Sequence, residues 1–557
     1  MKKRLWIYPV LCLVLGGGMM TYFIPQKQVT EFDYSVLWES KRKLPEKVAM
    51  DGYLAGNIAR SNQDLERAIT AYTKVLEKDP ENLPLAESTF LLAMIQGNLN
   101  AVIPYLNKIQ NNKMLPDYAQ IAVAYQAKDY KKALNLLNKK HPHEGDPLLL
   151  PLIKTWIYAA QNQSANALKI LNTLKGKPFI VGYQKILLGI YFKDNDLVQE
   201  GIRQIGDNDI LAIGYFPLLQ KIITETGNWD RSILHQKYQE LQRNYPATAD
   251  LLIQIGQIEL TLQQGLAESF YLVSALGADG KFTREESLAA NTLALFLDPE
   301  KQLSLVWGAE LSEGLNLPKV ALSYYNRLKF HSATLEFKKA SNLMLLGKNN
   351  EALSILEQLE KTNKNSVPLL TLLGQAYREE NQPQRALEIY NRLIPLLENN
   401  PQNKPLMQAY MIRGMLYGPQ DSDKMLSDLQ HAQKLDPNNI LILNDLGYHQ
   451  LELGQIEEGF DLVQRAHQKK PNDPYILDSL AFGYFKKGQI SSALPFAERA
   501  VDLMPQSALI NAHLGDIYAA LGRKREAAFQ YKKALDLNTD LTNDLTQELQ
   551  EKIKEKK

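Results

Sequence analysis

The feature that most constrains this chain is a repeat: from residue 407 onward, small side chains return every 34 positions. Gly447, Ala481 and Gly515 share one column, and Arg413 stands one period earlier. A second small column holds Gly459, Ala493 and Ala527, and a third holds Ala432, Ala466, Ala500 and Ala534. Prolines recur at Pro437, Pro471 and Pro505. Small residues facing one another let two helices cross closely, an aromatic such as Tyr484 or Tyr518 fills the space beside the crossing, and proline ends the second helix. One such hairpin cannot bury its own apolar face. Hairpins must therefore stack, which predicts an all-α solenoid of antiparallel helix pairs with a continuous core and a concave inner surface. At 557 residues the chain outgrows a single core, and stacking resolves that problem.

These columns resemble the tetratricopeptide-repeat (TPR) pattern, two antiparallel helices in 34 residues. Upstream, Gly374, Tyr377, Ala386 and Tyr390 form one unit and Ala340 with Ala352 another, while a proline and asparagine insertion at 399–405 shifts the register. Gly56, Ala68, Tyr72 and Pro80 rebuild the unit near the front. Between 85 and 335 the spacing drifts, although Tyr125 with Ala133, Tyr158 with Ala167 and Tyr324 near Ala321 keep the marks of helical hairpins. The expected organisation is a signal-anchor or signal peptide at 1–26, a linker at 27–46, and N-terminal TPR-like repeats at 47–335, degenerate from 85. C-terminal repeats follow at 336–540, with a polar capping helix and tail at 541–557.

Lys2, Lys3 and Arg4 precede an uncharged run from Leu5 to Ile24, the length a helix needs to cross a bilayer. Basic residues at its start put the N-terminus in the cytoplasm and the body outside. The run is read as a membrane anchor at residues 5–24. Gly16 and Gly18 leave open its removal as a signal peptide. The expected location is the cell envelope, as a single-pass inner-membrane protein with a periplasmic body, or a periplasmic protein after cleavage. Cys12 is the only cysteine, so the body carries no disulfide or thiolate site.

The stretches at 52–82, 265–280 and 444–535, which include "GYLAGNIARSNQDLERAITAYTKVLEKDPEN" and "NDLGYHQLELGQIEEGFDLVQRAHQKKPNDPYILDSLAFGYFKKGQ", are together similar to a family of exported bacterial TPR proteins. That resemblance implies location and fold, and it carries no catalytic activity.

Chemistry-bearing motifs are sparse. In "HPHEGD", Pro142 keeps His141, His143 and Glu144 off a common helix face. The segment 277–287 copies the second half of a calcium loop with Asp279, Gly280, Phe282 and Glu286, but Ala275 and Gly277 occupy the first and third ligand positions. No nucleophile elbow or zinc-protease motif stands in the sequence. We therefore expect no catalytic residue, metal or cofactor. With 63 basic against 62 acidic residues, the chain lacks the charge excess of a nucleic-acid binder.

What remains is the inner surface, which the first helix of each TPR pair lines. Its expected residues are Tyr410, Tyr417, Asn444, Tyr448, Leu451, Tyr475, Asp478, Phe482 and Phe485, an aromatic stripe of partly exposed rings. Tyr484 is expected between the paired helices instead. TPR domains that grip a C-terminal carboxylate use Lys and Asn at places taken here by Asn444 with Tyr448, Asp478 with Phe482 and Ala512 with Asp516, which disfavours such a clamp. The expected function is a non-catalytic scaffold or assembly factor of the bacterial envelope that holds proteins or peptides. The alternatives are a docking subunit of a secretion, polysaccharide-export or outer-membrane assembly machine, and an enzyme whose site carries no recognisable motif.

Overall fold

The structure is a computed structural model that describes residues 50–109, 114–140, 148–174, 176–205, 260–277, 283–399, 403–537 and 543–554. The anchor at 5–24, the linker, the "HPHEGD" loop and Asp279, Gly280 and Phe282 lie outside them. The described residues hold helices and no strand. They divide into two compact units that part between Lys348 and Asn349.

The N-terminal unit contains α1 (Met50–Ser61), α2 (Leu65–Lys78), α3 (Leu83–Gln96), a 3-10 segment (Leu99–Tyr105), α4 (Met114–Gln126), α5 (Tyr130–Lys140), α6 (Leu149–Ala160) and α7 (Ser164–Leu171). It continues through α8 (Pro178–Phe192), α9 (Asn195–Ile205), α10 (Leu262–Gly277), α11 (Arg284–Leu297), α12 (Gln302–Gly314), α13 (Pro318–Tyr325) and α14 (Ala333–Leu345). Consecutive helices pack as pairs, α1 with α2, α4 with α5, α6 with α7, α8 with α9, α10 with α11 and α12 with α13. In α2 the cause is plain. Asp64 accepts from the Arg67 N–H as N-cap, and Leu65, Ala68, Ile69, Tyr72, Val75 and Leu76 make one buried stripe at helical spacing.

Two backbone devices show that the drifting region keeps the same unit. Nine of the described first-to-second turns contain one residue of positive φ: Gln63, Lys128, Asn162, Lys193 and Asn316 here, and Asn381, Gly454, Gly488 and Gly522 further on. The following N–H closes back onto the carbonyl five residues earlier, as in Asp129 to Ala124 and Gln489 to Tyr484, which satisfies orphan carbonyls at the helix end. Successive pairs are also stapled. The Lys108, Arg327, Arg392 and Arg465 side chains each donate to a carbonyl 28 residues earlier, on Pro80, Pro299, Lys364 and Pro437, at 3.2, 2.9, 2.6 and 3.0 Å.

The N-terminal unit then departs from an open array. The pair α10–α11 lies on the side presented by the first helices: α11 packs on α3 and α4, and α10 on α6 and α8. Thr292 Oγ1 donates to the Met94 carbonyl at 2.6 Å, Gln126 Nε2 to the Phe296 carbonyl at 2.8 Å and Tyr125 O–H to the Leu262 carbonyl at 3.1 Å. Gly265 lies flat on the Trp156 ring, where no Cβ would fit. Every residue of α11 from Ser287 to Leu297 is buried. Burying Leu288, Leu293, Leu295, Phe296 and Leu297 contributes on the order of 10 kcal/mol, an upper figure relative to an extended chain. Glu286, the last candidate of the calcium-like segment, serves α11 instead. Its carboxylate accepts from the Thr283 N–H at 2.8 Å while the Thr283 hydroxyl accepts from the Glu286 N–H at 3.2 Å, a capping box.

The C-terminal unit contains α15 (Asn349–Thr362), α16 (Val367–Glu379), α17 (Pro383–Glu398), α18 (Asn403–Tyr417), a 3-10 turn (Gly418–Asp421), α19 (Ser422–Leu435) and α20 (Ile440–Glu452). It ends with α21 (Ile456–Lys469), α22 (Pro474–Lys486), α23 (Ile490–Leu503), α24 (Ala508–Ala520), α25 (Lys524–Leu537) and α26 (Asn543–Lys554). Ala432, Ala466, Ala481, Ala493, Ala500, Ala527 and Ala534 are all fully buried, so the small columns do mark the helix crossings. α26 is more than a solvating tail, because Leu545 and Leu549 are buried on the last pair and Lys552 reaches Asp516 at 2.6 Å.

Candidate partner-binding surface

Within the C-terminal unit α20 packs directly on α22 and α22 on α24, while successive second helices make no comparable contact. Neighbours come closest on the inside of a curve, so the first helices line the inner face. Three rings meet there, one from each helix: Tyr448 lies 5.1 Å from Phe482, and Phe482 stacks on the His513 ring at 5.7 Å. Asp478, only 4% exposed, accepts from His513 Nδ1 at 2.7 Å. Lys486 Nζ covers the Phe482 face 5.0 Å from its centroid. Asn444 leans on neighbouring Asp445, whose carboxyl burial pushes up to about 6.

The sequence-expected residues divide into three groups. Tyr475, Phe482 and Phe485 are half-buried on the surface of the core, as partly exposed rings should be, and Asn444 is half-buried too. Tyr448 is a correction: it is 3% exposed, because Phe482, His449 and His513 cover it, and Leu451 and Asp478 are buried as well. Tyr410 and Tyr417 are a second correction, since they face the second-helix layer and not the groove. Tyr410, 7% exposed, stacks on His431 of α19 at 5.0 Å and donates to Glu398 of α17. Tyr417 donates to Asn391 of α17 at 3.3 Å and carries Lys424 of α19 over its ring. The residue between them, Arg413, replaces the small residue of its column. It grips Asp428 of α19 through two bonds of 2.7 and 2.8 Å, and Tyr410 and Tyr417, three and four residues away, share its face.

Tyr484 does pack against its own second helix, stacking on Phe496 of α23 at 5.5 Å. It also meets Phe460 of α21 edge-on at 4.9 Å, and it is half-buried. The sequence reading missed His513, the centre of the inner-face polar contacts. Its signal was faint: one histidine in an apolar helix, one period and one residue beyond the aspartate it serves.

Among the described residues no cluster of three His, Cys, Asp or Glu side chains could hold a metal ion. No helix among them is long and apolar enough to cross a membrane.

Family models described as tetratricopeptide repeat match residues 53–82, 343–410 and 508–541. No curated protein matches the sequence. Among solved structures, a tetratricopeptide repeat protein from Parabacteroides merdae is 19% identical over 46% of this chain and 98% of its own, with a TM-score of 0.36. The APC/C hetero-tetramer Cut9-Hcn1 is 15% identical over 92% of this chain and 96% of its own, also at 0.36. YrrB, described as a TPR protein with an unusual peptide-binding site, is 19% identical over 33% of this chain and 93% of its own, at 0.26. At these scores the superpositions carry no argument, and the family matches rest on the repeats themselves. Tetratricopeptide arrays bind protein or peptide partners. The chain carries tetratricopeptide repeats at those three stretches.

Proposed function

We propose that this chain is a non-catalytic scaffold or assembly factor of the bacterial cell envelope that holds a partner protein or an extended peptide on the inner face of its C-terminal array. One observation carries the assignment to that array: its first helix α22 presents the half-buried rings of Tyr475, Phe482 and Phe485, whereas α3, α4, α6 and α8 of the N-terminal unit have α10–α11 packed on them. Half-buried aromatics offer large contact area with few rotors to freeze, and such residues dominate binding energy at interfaces. The envelope location rests on the basic start and the uncharged run at 5–24, which supports an inner-membrane anchor with the body in the periplasm, or a periplasmic protein after cleavage.

Selecting binders from a phage-displayed peptide library against the intact chain tests the surface. Peptides that bind the parent should lose about 30-fold or more in affinity for the Phe482→Ala/Phe485→Ala variant, the equivalent of about 2 kcal/mol. Binding undiminished in that variant removes the assignment. Deleting residues 1–26 and fractionating the producing cell tests the location.

A further inference from the structure

The inner face contains a device that the binding role does not require. His513 and Asp478 stand on adjacent first helices, α24 and α22, and their 2.7 Å contact joins groups 35 residues apart. Both side chains are nearly sealed from water, at 13% and 6% exposed. The imidazole is also the end ring of the stack with Phe482, at an interplanar angle of 20°. We propose that His513 and Asp478 form a pH-operated tie across the inner face, which locks α22 to α24 and fixes the Phe482 ring while the imidazole is protonated, and slackens when the proton leaves.

The surrounding charges favour the protonated form. Burial alone would drive the proton off His513, but Asp478 beside it, Asp516 on its own helix and Glu452 from α20 together outweigh burial and raise its pKa. Two of these neighbours have partners of their own. Glu452 pairs with His449 at 3.0 Å, and Asp516 accepts from Lys552 of α26 and from Tyr531 of α25, both at 2.6 Å. Lys486 of α22 is the facing cation, over the far ring of the stack. Among the described residues Asp478 Oδ1 has no hydrogen-bond partner, and His513 holds the other oxygen of this buried carboxylate.

The sign of the effect follows from linkage. A histidine whose folded pKa is raised contributes stability that is fully present below its unfolded value, about 6.5, and is lost as pH rises through the folded value. Asp445, raised by burial and not by a neighbouring charge, gives up its proton near 6, so the His513 and Asp478 variants are what separate the two titrations.

The test is a histidine carbon-13 NMR titration of the full chain, whose eight histidines give few signals. A His513→Gln variant assigns the resonance. The proposal expects the His513 signal to titrate above the ordinary histidine range, and Asp478→Asn to move it down by a unit or more, a tenfold or greater weakening of proton binding. Native-state amide exchange in α22 and α24, corrected for intrinsic rates, should rise severalfold between pH 6.5 and 9 in the parent. The same rise should be absent from His513→Gln and Asp478→Asn. A resonance that titrates at or below the ordinary value, or exchange in the parent with no more pH dependence than in the variants, overturns the tie. Neither readout involves a partner, so failure here leaves the peptide-binding proposal standing, and loss of peptide binding leaves the tie standing.

Discussion

Replacing Gly447 by alanine should loosen the array although alanine is the better helix former. At this point α20 and α21 cross backbone to backbone. An added Cβ would lie 2.8 Å from the Gly459 carbonyl oxygen, 2.8 Å from Val463 Cγ2 and 3.0 Å from Leu462 Cβ. Ordinary contact begins near 3.4 Å, so the two helices must part by about 0.6 Å, the difference between 3.4 and 2.8. The alanine gains about 1 kcal/mol of helix propensity, and overfilling a tight crossing costs about 1–3 kcal/mol, leaving a net loss of up to about 2 kcal/mol. Gly414 is the internal control. There a Cβ would meet Met425 O at 3.1 Å, Asp428 Cβ at 3.2 Å and Leu429 Cγ at 3.4 Å, so propensity and crowding nearly cancel. A repeat array need not unfold in one step, so the assay is native-state amide exchange read helix by helix. Gly447→Ala should speed exchange in α20 and α21 by up to about 30-fold, with a smaller effect in the flanking pairs, and Gly414→Ala should change its pair little. Equal or greater protection in Gly447→Ala, or greater damage from Gly414→Ala, refutes the crossing argument.

The remaining predictions concern the ends and the closure of the units. Leu549→Ala removes a fully buried side chain that docks α26, and should cost about 2–4 kcal/mol locally, seen as selective loss of exchange protection in α25 and α26. Thr283→Ala breaks the capping box of the buried helix α11 and should lower N-terminal-unit stability by about 1 kcal/mol in urea unfolding followed by tryptophan fluorescence, with Trp156 and Trp307 as reporters. Tyr484→Ala should lower the melting temperature more than Phe485→Ala, because Tyr484 fills the space between Phe460 and Phe496.

The fold was legible where local chemistry and packing agree. The small columns at 432–534 and the prolines after the second helices speak for themselves, because a close crossing admits few residue types. Between 85 and 335 the same hairpins persist under a weaker code. The turn needs one left-handed residue, and Lys128, Asn162 and Lys193 supply it without the glycine that marks Gly454, Gly488 and Gly522. The packing of α10–α11 onto the first helices was not legible, since periodicity reports which face is apolar and not which distant helix covers it. At the surface, the expected register failed at Tyr410 and Tyr417 because both rings, with Arg413 between them, engage α17 and α19. It failed at Tyr448 because neighbouring rings seal it, a property of three helices together.

The central claim is that partners lie on the first helices of the C-terminal array. The most direct measurement is site-specific photocrosslinking in the producing cell, with a benzophenone amino acid at Phe485 or Tyr475 and, for comparison, at Phe529, which is 64% exposed on the second helix α25. The account predicts a discrete protein adduct from Phe485 and Tyr475 that disappears when Phe482 is also changed to Ala, with none from Phe529. Adducts from Phe529 alone, or adducts from Phe485 that are indifferent to Phe482, would contradict it.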